Sequence, residues 1–419
     1  MRTLRPAGPL LLAATIAVTI AAPLSAQTRD KTPKERTRRP PQVVLAYDNT
    51  GDFGPQTPGT KTAGWQEALN ACVKHGHDLY VKGGFGGQKA VYHISDTIRI
   101  PAAQDFRIDG GIYVLNWTGP GDKDMLVVDS SMNCEYHFGI LVYGGTAAGM
   151  RIKPENPVPI DNFPICIESI IQCQGVADPH PFQPGERQGG TGLIFDGSKA
   201  AIVHNEFWFA SVLNFRTCIA TESAFSYNRL ECPHLHTNSD KGTLCTLSEG
   251  SFGNTIRFAI GVDQGAKDVT GVALAGRRND LSLARRASNA PFPRGRSLIF
   301  EPTSEGNQVN WIDHELVDLT ESITDRATNP TNQVTWAGPP LPIKKVEATS
   351  GNFTYTQRLY PATVRILGGK VTNIAMVRGG TRLDYGKTAE QEILLSVGDE
   401  LRIESEAAPV LIVKPLKVR

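Results

Sequence analysis

Acidic residues end several short apolar segments in the middle of the chain. Three of them, Glu168, Asp196 and Glu222, follow one another at intervals of 28 and 26 residues. If each segment is one strand of a stacked coil, neighbouring copies lie about 4.8 Å apart and the three carboxylates form a column. Such a column can hold Ca²⁺ through oxygen ligands, or provide a general acid beside a base. Alternatively, each acid only ends its strand in a solvated turn.

Two histidines occur close together in the segment 232–240, which also contains Asp240. His234 and His236 would project from the same side of a strand, where they can bind a metal or supply a base near neutral pH. Surface exposure or simple packing would explain the same two histidines, so the pattern leaves both interpretations open.

A basic stretch extends from 277 to 296 and contains one acidic residue, Asp280. Guanidinium groups match carboxylates and sulfates in two-point geometry, so an anionic polysaccharide is the simplest substrate. A solvated loop, or pairing with acids of the next coil, would account for the stretch equally well. The arginines are Arg277, Arg278, Arg285, Arg286, Arg294 and Arg296.

A tryptophan and two charged residues occupy equivalent positions in successive repeats. Trp208, Glu231 and Arg257 each follow an asparagine at a position that alternation directs outward. An exposed indole beside charged groups suits stacking on a sugar ring. Packing of the indole under a loop is the alternative.

These candidates meet only if the chain folds back on itself at a regular interval, and its middle does repeat. The second residues of five similar apolar segments are 193, 219, 244, 272 and 298, at intervals of 26, 25, 28 and 26. The segments alternate like strands and are separated by Gly-rich bends, which favours a β-solenoid over a helical repeat. The intervening column is also apolar, so the pattern leaves open which side of each strand faces the core. That column is Ile194, Ala220, Cys245, Ala273 and Ile299.

A second repeat consists of asparagines. Asparagine tolerates the left-handed backbone of a tight bend, and its amide can hydrogen-bond to the copy one coil away. We therefore predict one stacked asparagine at one bend of each coil. The series is Asn205, Asn228, Asn254, Asn279 and Asn307.

The segment from 47 to 101 resembles the opening of the pectate lyase-like superfamily of single-stranded right-handed parallel β-helices. The motifs that carry the resemblance are DNTGDFG (48–54), TAGWQEALNA (62–71), LYV (79–81) and YHISDTIRIP (92–101). The resemblance covers about 45 to 340 and implies a helix that caps the first coil. Trp65, Leu69 and Cys72 to Val73 would form the apolar face of that helix. The resemblance also implies that the binding face contains the strands ending at the acidic column.

The predicted fold class is therefore all-β: a right-handed parallel β-helix at 42–349 and a small β-sandwich-like domain at 350–419. Residues 1–26 have the basic start, short apolar run and small-residue cleavage site of a signal peptide. The basic, Pro-rich segment 27–41 follows as a linker, and the protein is expected to be secreted or periplasmic. Seven cysteines are too few for a disulfide scaffold, so buried free thiols are expected, although one or two bridges remain open.

The superfamily contains polysaccharide lyases, polygalacturonase-type hydrolases, epimerases and phage tailspikes, and an acidic polysaccharide is the predicted partner. The formal net charge of +1 gives no reason to expect nucleic acid, and no segment after the signal peptide is predicted to span a membrane. β-Elimination is the leading hypothesis, with arginines of 277–296 stabilising the charge and His234 or His236 as base. Hydrolysis would instead use two members of the acidic column. A non-catalytic glycan-binding or structural role is the third hypothesis, because the catalytic motif of polygalacturonases is missing.

Overall fold

The computed structural model describes residues 41–84, 90–159, 162–179, 190–262, 266–285, 292–313, 322–337, 340–387 and 391–416. The predicted signal peptide and nearly all of the predicted linker lie outside these ranges, so both remain predictions. In the part of the chain that is described, no helix is long and apolar enough to cross a membrane.

One helix and 27 strands build the first part of the chain. The helix is α1 (Trp65–His75). The strands are β1 (Gln42–Ala46), β2 (Asp78–Lys82), β3 (Ala90–Ile94), β4 (Ile98–Ile100), β5 (Ala103–Gln104), β6 (Arg107–Gly110), β7 (Tyr113–Trp117), β8 (Leu126–Val128), β9 (Ser131–Met132), β10 (Glu135–Val142), β11 (Ala148–Ile152), β12 (Cys166–Ile167), β13 (Ile170–Ala177), β14 (Thr191–Val203), β15 (Glu206–Phe209), β16 (Val212–Leu213), β17 (Thr217–Ser226), β18 (Arg229–Thr237), β19 (Thr243–Leu247), β20 (Ser251–Phe252), β21 (Thr255–Val262), β22 (Thr270–Leu274), β23 (Asp280–Arg285), β24 (Leu298–Phe300), β25 (Gln308–Asp313), β26 (Ile323–Asp325) and β27 (Gln333–Trp336).

These strands form two parallel sheets that enclose one core. Sheet A contains 14 of the described strands, in the order β1-β2-β6-β10-β13-β15-β18-β21-β23-β25-β27 with β3, β7 and β16 beside that path. Sheet B contains 13, in the order β26-β24-β22-β19-β17-β14-β11-β8-β4 with β5, β9, β12 and β20 beside it. The chain alternates between the sheets, and each strand pairs with the strand one coil away. The predicted right-handed parallel β-helix is confirmed.

Register settles which side of the sheet B strands faces the core. Leu193, Ile219 and Cys245 are aligned and completely or almost completely buried, whereas Ile194, Ala220 and Thr246 form the outward column. The question left open by the sequence is thereby answered, except that Cys245, placed in the intervening column with Ile194 and Ala220, points inward. The pattern was misaligned by one residue in that coil because apolar residues occupy both 244 and 245.

The predicted asparagine ladder forms and is completely or almost completely buried. The side-chain Nδ2 of each asparagine donates to Oδ1 of the next, at 3.1, 3.3, 2.8 and 3.0 Å from Asn205 to Asn307. Asn332 continues the ladder at 2.9 Å and was not predicted. The same Oδ1 atoms accept the backbone N–H of the preceding asparagine, so each amide satisfies buried backbone at its bend.

The conformational reason given for these asparagines was wrong. The left-handed residue of each bend is the one before the asparagine, with φ between 52° and 66°. Several residue types therefore occupy the left-handed position. Asparagine is required at the next position because its side-chain amide makes the hydrogen bonds of the ladder. The left-handed residues are His204, Tyr227, Gly253, Arg278 and Gly306.

Helix α1 covers the first coil of the solenoid. Its Trp65 packs on the rings of Tyr92 and Tyr113, with ring centroids 6.1 and 5.5 Å away. Gln66 hydrogen-bonds to the backbone N–H and carbonyl of Arg99, which protects the edge strand β4. Val73, predicted to belong to the buried face of α1, is 52% exposed.

The C-terminal strands form a β-sandwich of two four-stranded antiparallel sheets, β28-β35-β30-β33 and β29-β34-β31-β32. Their inner faces share an apolar core. Next to this sandwich, Tyr360 packs edge-on against Trp336 of the last coil, and Arg358 pairs with Asp325 at 3.1 Å. The strands are β28 (Lys344–Glu347), β29 (Gly351–Thr356), β30 (Ala362–Leu367), β31 (Lys370–Arg378), β32 (Thr381–Gly386), β33 (Glu392–Leu395), β34 (Glu400–Ala407) and β35 (Val410–Pro415).

All seven cysteines are buried free thiols. Burial raises the pKa of Cys72, Cys166 and Cys173 to about 12, because the thiolate is poorly solvated inside the core. These cysteines therefore behave as small apolar core residues.

Replacing one asparagine of the ladder should destabilise the protein strongly. In Asn254→Ala the buried backbone N–H of Asn228 and the carbonyl of Phe225 lose their partners. We expect the free energy of unfolding to fall by about 3 kcal/mol, measured by urea denaturation. The matched control is Asn310→Ala on the exposed surface of β25, which should change it by less than about 0.5 kcal/mol. Equal effects of the two substitutions would refute the ladder's role.

Candidate functional site

A groove lies on the outer face of sheet B, near the capped end of the solenoid. Arg99, Val127, Arg151 and Ile194 are aligned on four successive coils and form one outward column. Beside this column are two clefts of about 410 and 540 Å³ that share Gln66 and Arg99 among their lining residues. We call the two clefts and this column the sheet B groove.

Three carboxylates surround one guanidinium at the end of the groove. Arg151 Nε contacts Asp124 Oδ2 at 2.7 Å, and its Nη1 lies 3.5 Å from Asp196 Oδ2 and 3.8 Å from Glu222 Oε2. Asp196 and Glu222 are direct neighbours in the register of β14 and β17. Burial alone would lower the pKa of Arg151, but its hydrogen bond to Asp124 and the nearby carboxylates raise it above its ordinary value.

Asp196 is held more tightly than Glu222. Its side chain is 7% exposed, compared with 49% for Glu222. The backbone N–H and the hydroxyl of Ser198 both donate to Asp196 Oδ1. This contact occurs where β14 bulges after Gly197, so the local irregularity of the strand positions one member of the acidic pair.

Lysines connect the acidic pair with the wall of the cleft of about 410 Å³. Lys153 Nζ lies 3.8 Å from Asp196 Oδ2 and 3.0 Å from Glu155 Oε1. Lys199 Nζ contacts the same Glu155 oxygen at 2.7 Å. Hydrogen bonds from Lys199 and Lys153 hold the pKa of Glu155 below its ordinary value, so this carboxylate stays ionised in mildly acidic solution.

The predicted column of three acids does not form, because Glu168 lies elsewhere. The preceding residues Cys166 and Ile167 pair with Ile202 and Val203, so Glu168 occupies the left-handed position of the asparagine bend, with φ 50°. The long connection between β11 and β12 shifts the count in that coil. The residue following the paired end of β11, and therefore opposite Asp196, is Lys153.

The charged side chains of the groove do not form the Ca²⁺ site that was considered from the sequence. The nitrogen atoms of Arg151 and Lys153 occupy the surroundings of the carboxylates that would have to bind the ion. Across the described ranges, no group of three or more His, Cys, Asp and Glu side chains has the arrangement needed to hold a metal.

The two histidines lie in strand β18, on sheet A. The rings of His234 and His236 are 6.4 Å apart, and β18 bulges between Cys232 and Leu235. His236 packs on Gly261, where an added Cβ would come within 2.8 Å of the ring. Asp240 accepts the backbone N–H of Lys267. These contacts describe a packed strand end, and the role predicted for the histidines is untested.

The arginines of 277–296 do not make one basic patch in the described part of the chain. Arg277 and Arg278 precede Asn279 at the bend before β23, whereas Arg285 is the last residue of β23, at the opposite end of that strand. Arg285 is 2% exposed and its guanidinium lies 5.9 Å from the centroid of the Phe292 ring. Arg286 lies outside the described residues.

Three other arginines of the stretch, Arg277, Arg278 and Arg296, each contact a different part of the chain. Arg277 Nη2 lies 3.6 Å from Glu249, and the guanidinium of Arg278 lies 5.8 Å from the centre of the Phe252 ring. Arg296 donates to the carbonyl of Asp268 at 2.9 Å. These contacts spread the positive charge over two bends of the solenoid.

Trp208 and Arg257 face outward, as their alternation predicts, but on sheet A. Trp208, Glu231 and Arg257 are aligned on three successive coils. Sheet A and sheet B face each other across the core, where the rings of Phe195 and Phe207 have centroids 4.8 Å apart. The structure therefore separates these residues from Asp196 and Glu222, which were predicted to share their site.

Four residues of the groove were missed from the sequence: Arg99, Asp124, Arg151 and Lys153. The signal that identifies Arg151 is the alternation Met150-Arg151-Ile152, which matches the paired residues 193–195. The loosely repeated early coils concealed this match. Asp124 and Arg99 have no repeated motif, because they precede the regular part of the repeat.

Comparison with known proteins gives only distant structural similarities. The chain matches no protein-family model and no curated protein. It is similar to the full-length tailspike protein 2 of Escherichia coli O157:H7 bacteriophage CAB120, with 9% identity, TM-score 0.35 and coverage of 88% of this chain and 63% of the tailspike. It is also similar to the Dettilon tailspike protein, with 10% identity, TM-score 0.26 and coverage of 88% and 94%. Neither similarity indicates what this chain binds.

Removing the guanidinium of Arg151 should destabilise the protein at neutral pH. In Arg151→Met three carboxylates lose their shared partner, and we expect a loss of about 2 kcal/mol in the free energy of unfolding at pH 7. Arg402→Met, which breaks an exposed pair with Glu400, is the control and should cost less than about 1 kcal/mol. Equal losses in Arg151→Met and Arg402→Met would contradict this account.

Proposed function

We propose that this protein binds and processes an acidic polysaccharide in the sheet B groove. The observation that carries the proposal is the outward column of sheet B, which places an exposed guanidinium and a held pair of carboxylates along one groove. Arg99 is exposed, and no carboxylate of the described residues lies within ion-pair distance of it. Its guanidinium is therefore free to bind a uronate carboxylate or a sulfate through two parallel hydrogen bonds.

The acidic residues of the cleft of about 410 Å³ already have hydrogen-bond partners. Glu155 is bound by two lysines, and Asp129 accepts the backbone N–H groups of Glu155 and Asn156 at 2.8 and 2.9 Å. An anionic sugar in the cleft of about 410 Å³ would therefore meet acids that already have hydrogen-bond partners, with Arg99 as its strongest attraction. Val127 and Pro101 supply apolar lining against which a sugar ring can pack.

Cleavage of the bound chain is the finer part of the proposal. Hydrolysis is supported by Asp196 and Glu222, which are neighbours in register and contact the same nitrogen of Arg151. One would donate a proton to the glycosidic oxygen and the other would activate water. β-Elimination would need a neutral base beside Arg99, whereas Lys153 of this groove faces Glu155 and Asp196 as a cation, so the groove favours hydrolysis. The histidines and arginines first considered for elimination lie on sheet A and its bends.

The proposal predicts binding of uronate polysaccharides that depends on Arg99. The mature protein, incubated with a panel of uronate polysaccharides, should be retarded in affinity gels, and Arg99→Ala should weaken the binding about tenfold or more. The exposed Arg365→Ala in β30 is the control and should bind like the unaltered protein. Absence of binding to every member of the panel, or full binding by Arg99→Ala, would refute the proposed groove.

The same incubations identify the chemistry. Absorbance of unsaturated ends indicates elimination, reducing sugar without such absorbance indicates hydrolysis, and binding with neither product leaves a binding protein. If hydrolysis occurs, Asp196→Asn and Glu222→Gln should each lower kcat about 100-fold or more while the polysaccharide still binds. Glu392→Gln, an exposed acid in the C-terminal sandwich, is the matched control.

A further inference from the structure

The outer face of sheet A carries a regular array of polar side chains that the sheet B groove does not use. Residues one coil apart are aligned, so equivalent side chains form straight columns at a spacing of about 4.8 Å. We call the middle of this face the sheet A platform. Its residues are Gln172, Glu206, Trp208, Arg229, Glu231 and Arg257.

Trp208 is the centre of the platform. Its side chain emerges from β15 between buried Phe207 and Phe209, and the residue is 39% exposed. A small cleft of about 150 Å³ lies beside it, lined also by Ile170, Gln172 and Arg229. A cleft of this size next to an exposed indole can hold one sugar ring, whose C–H groups pack on the aromatic face.

The polar neighbours of Trp208 are fixed by one another. Arg229 Nη2 donates to Glu231 Oε1 at 2.7 Å, and Arg257 Nη1 lies 3.5 Å from the same oxygen. These contacts already restrict the three side chains, so their remaining donors and acceptors can bind a ligand at a lower entropy cost. Sugar hydroxyl groups, each a donor and an acceptor, match such a mixed array.

The charge of the platform selects against an anionic ligand. Glu206 and Glu231 balance Arg229 and Arg257, so the charges around Trp208 cancel. Both guanidinium groups already face the Glu231 carboxylate, in contrast to Arg99 in the sheet B groove. An uncharged saccharide is therefore the ligand that fits this surface.

The columns also set the direction of a bound chain. Along the column of Trp208, Gln172 lies one coil before it, and Glu231 and Arg257 lie one and two coils after it. Ser282 and Asn310 continue this column on the next two coils. A saccharide chain parallel to the solenoid axis would meet a new polar side chain at each coil.

A second copy of this chain is a less suitable occupant. Apart from Ile170 and Trp208, the outward residues of the platform and its column are polar or charged. Stable association of two proteins requires a buried apolar centre larger than one indole and one isoleucine provide.

We propose that the sheet A platform is a second glycan-binding site, which holds an uncharged saccharide chain by stacking one ring on Trp208. It is independent of the sheet B groove and of the reaction proposed there. Because the two sites lie on sheets that face each other across the core, the protein can hold an uncharged chain on one side while an acidic chain occupies the other.

The test uses the full mature chain and affinity gels that contain dextran, a mixed-linkage β-glucan, hydroxyethyl cellulose or galactomannan. At least one of these uncharged polysaccharides should retard the protein. Trp208→Ala should raise the dissociation constant about tenfold or more, and Trp208→Phe should retain part of the affinity because a smaller ring remains. Arg99→Ala should bind these polysaccharides like the unaltered protein, and raising the salt concentration should have little effect.

Several results would overturn the proposal. They are no retardation by any of the four polysaccharides, equal affinity of Trp208→Ala and the unaltered protein, or loss of affinity in Arg99→Ala. Sedimentation that shows a dimer dissociated by Trp208→Ala would assign the platform to a second copy of the chain instead. Circular dichroism of both Trp208 variants checks that they fold. Retention of uronate binding by Trp208→Ala separates this result from that for the sheet B groove.

Discussion

The hydrogen bonds between stacked asparagines are the constraint on which the rest of this structure depends. Each amide satisfies its neighbour's side chain and backbone inside a bend that water does not reach. An unpaired buried donor costs about 1–3 kcal/mol, so a slipped coil would leave several unmet groups at once. The ladder therefore fixes where β15, β18, β21, β23, β25 and β27 begin, and through these strands the alignment of their outward side chains.

Because the coils are aligned in this way, residues that are far apart in the sequence contact one another in the structure. Arg151 and Asp196 are 45 residues apart in the chain yet lie on neighbouring coils. The two outer faces then differ in chemistry. On sheet B, charged groups gather around one guanidinium next to a groove that leaves Arg99 available. On sheet A, charges cancel around an exposed indole. We infer two sites of different preference from that contrast.

The sequence was sufficient to predict the solenoid, most of the asparagine ladder, the capping helix and the outward positions of Trp208 and Arg257, because all of these follow from local alternation or an exact residue type at a bend. It was insufficient where coil length varies. The connection of β11 to β12 moved Glu168 away from Asp196, and no local pattern reveals that shift. Arg285 looked like part of a basic patch, but only the structure shows that it is buried.

Cysteine cross-linking tests the stacking of coils most directly. Gln308 and Gln333 are exposed and directly aligned, although 25 residues separate them. After mild oxidation, Gln308→Cys with Gln333→Cys should form a disulfide in nearly all molecules, because adjacent strands lie within disulfide reach. Asp280→Cys with Gln333→Cys, two coils apart, should remain reduced. Cross-linking of the second pair instead of the first would contradict the register on which both sites depend.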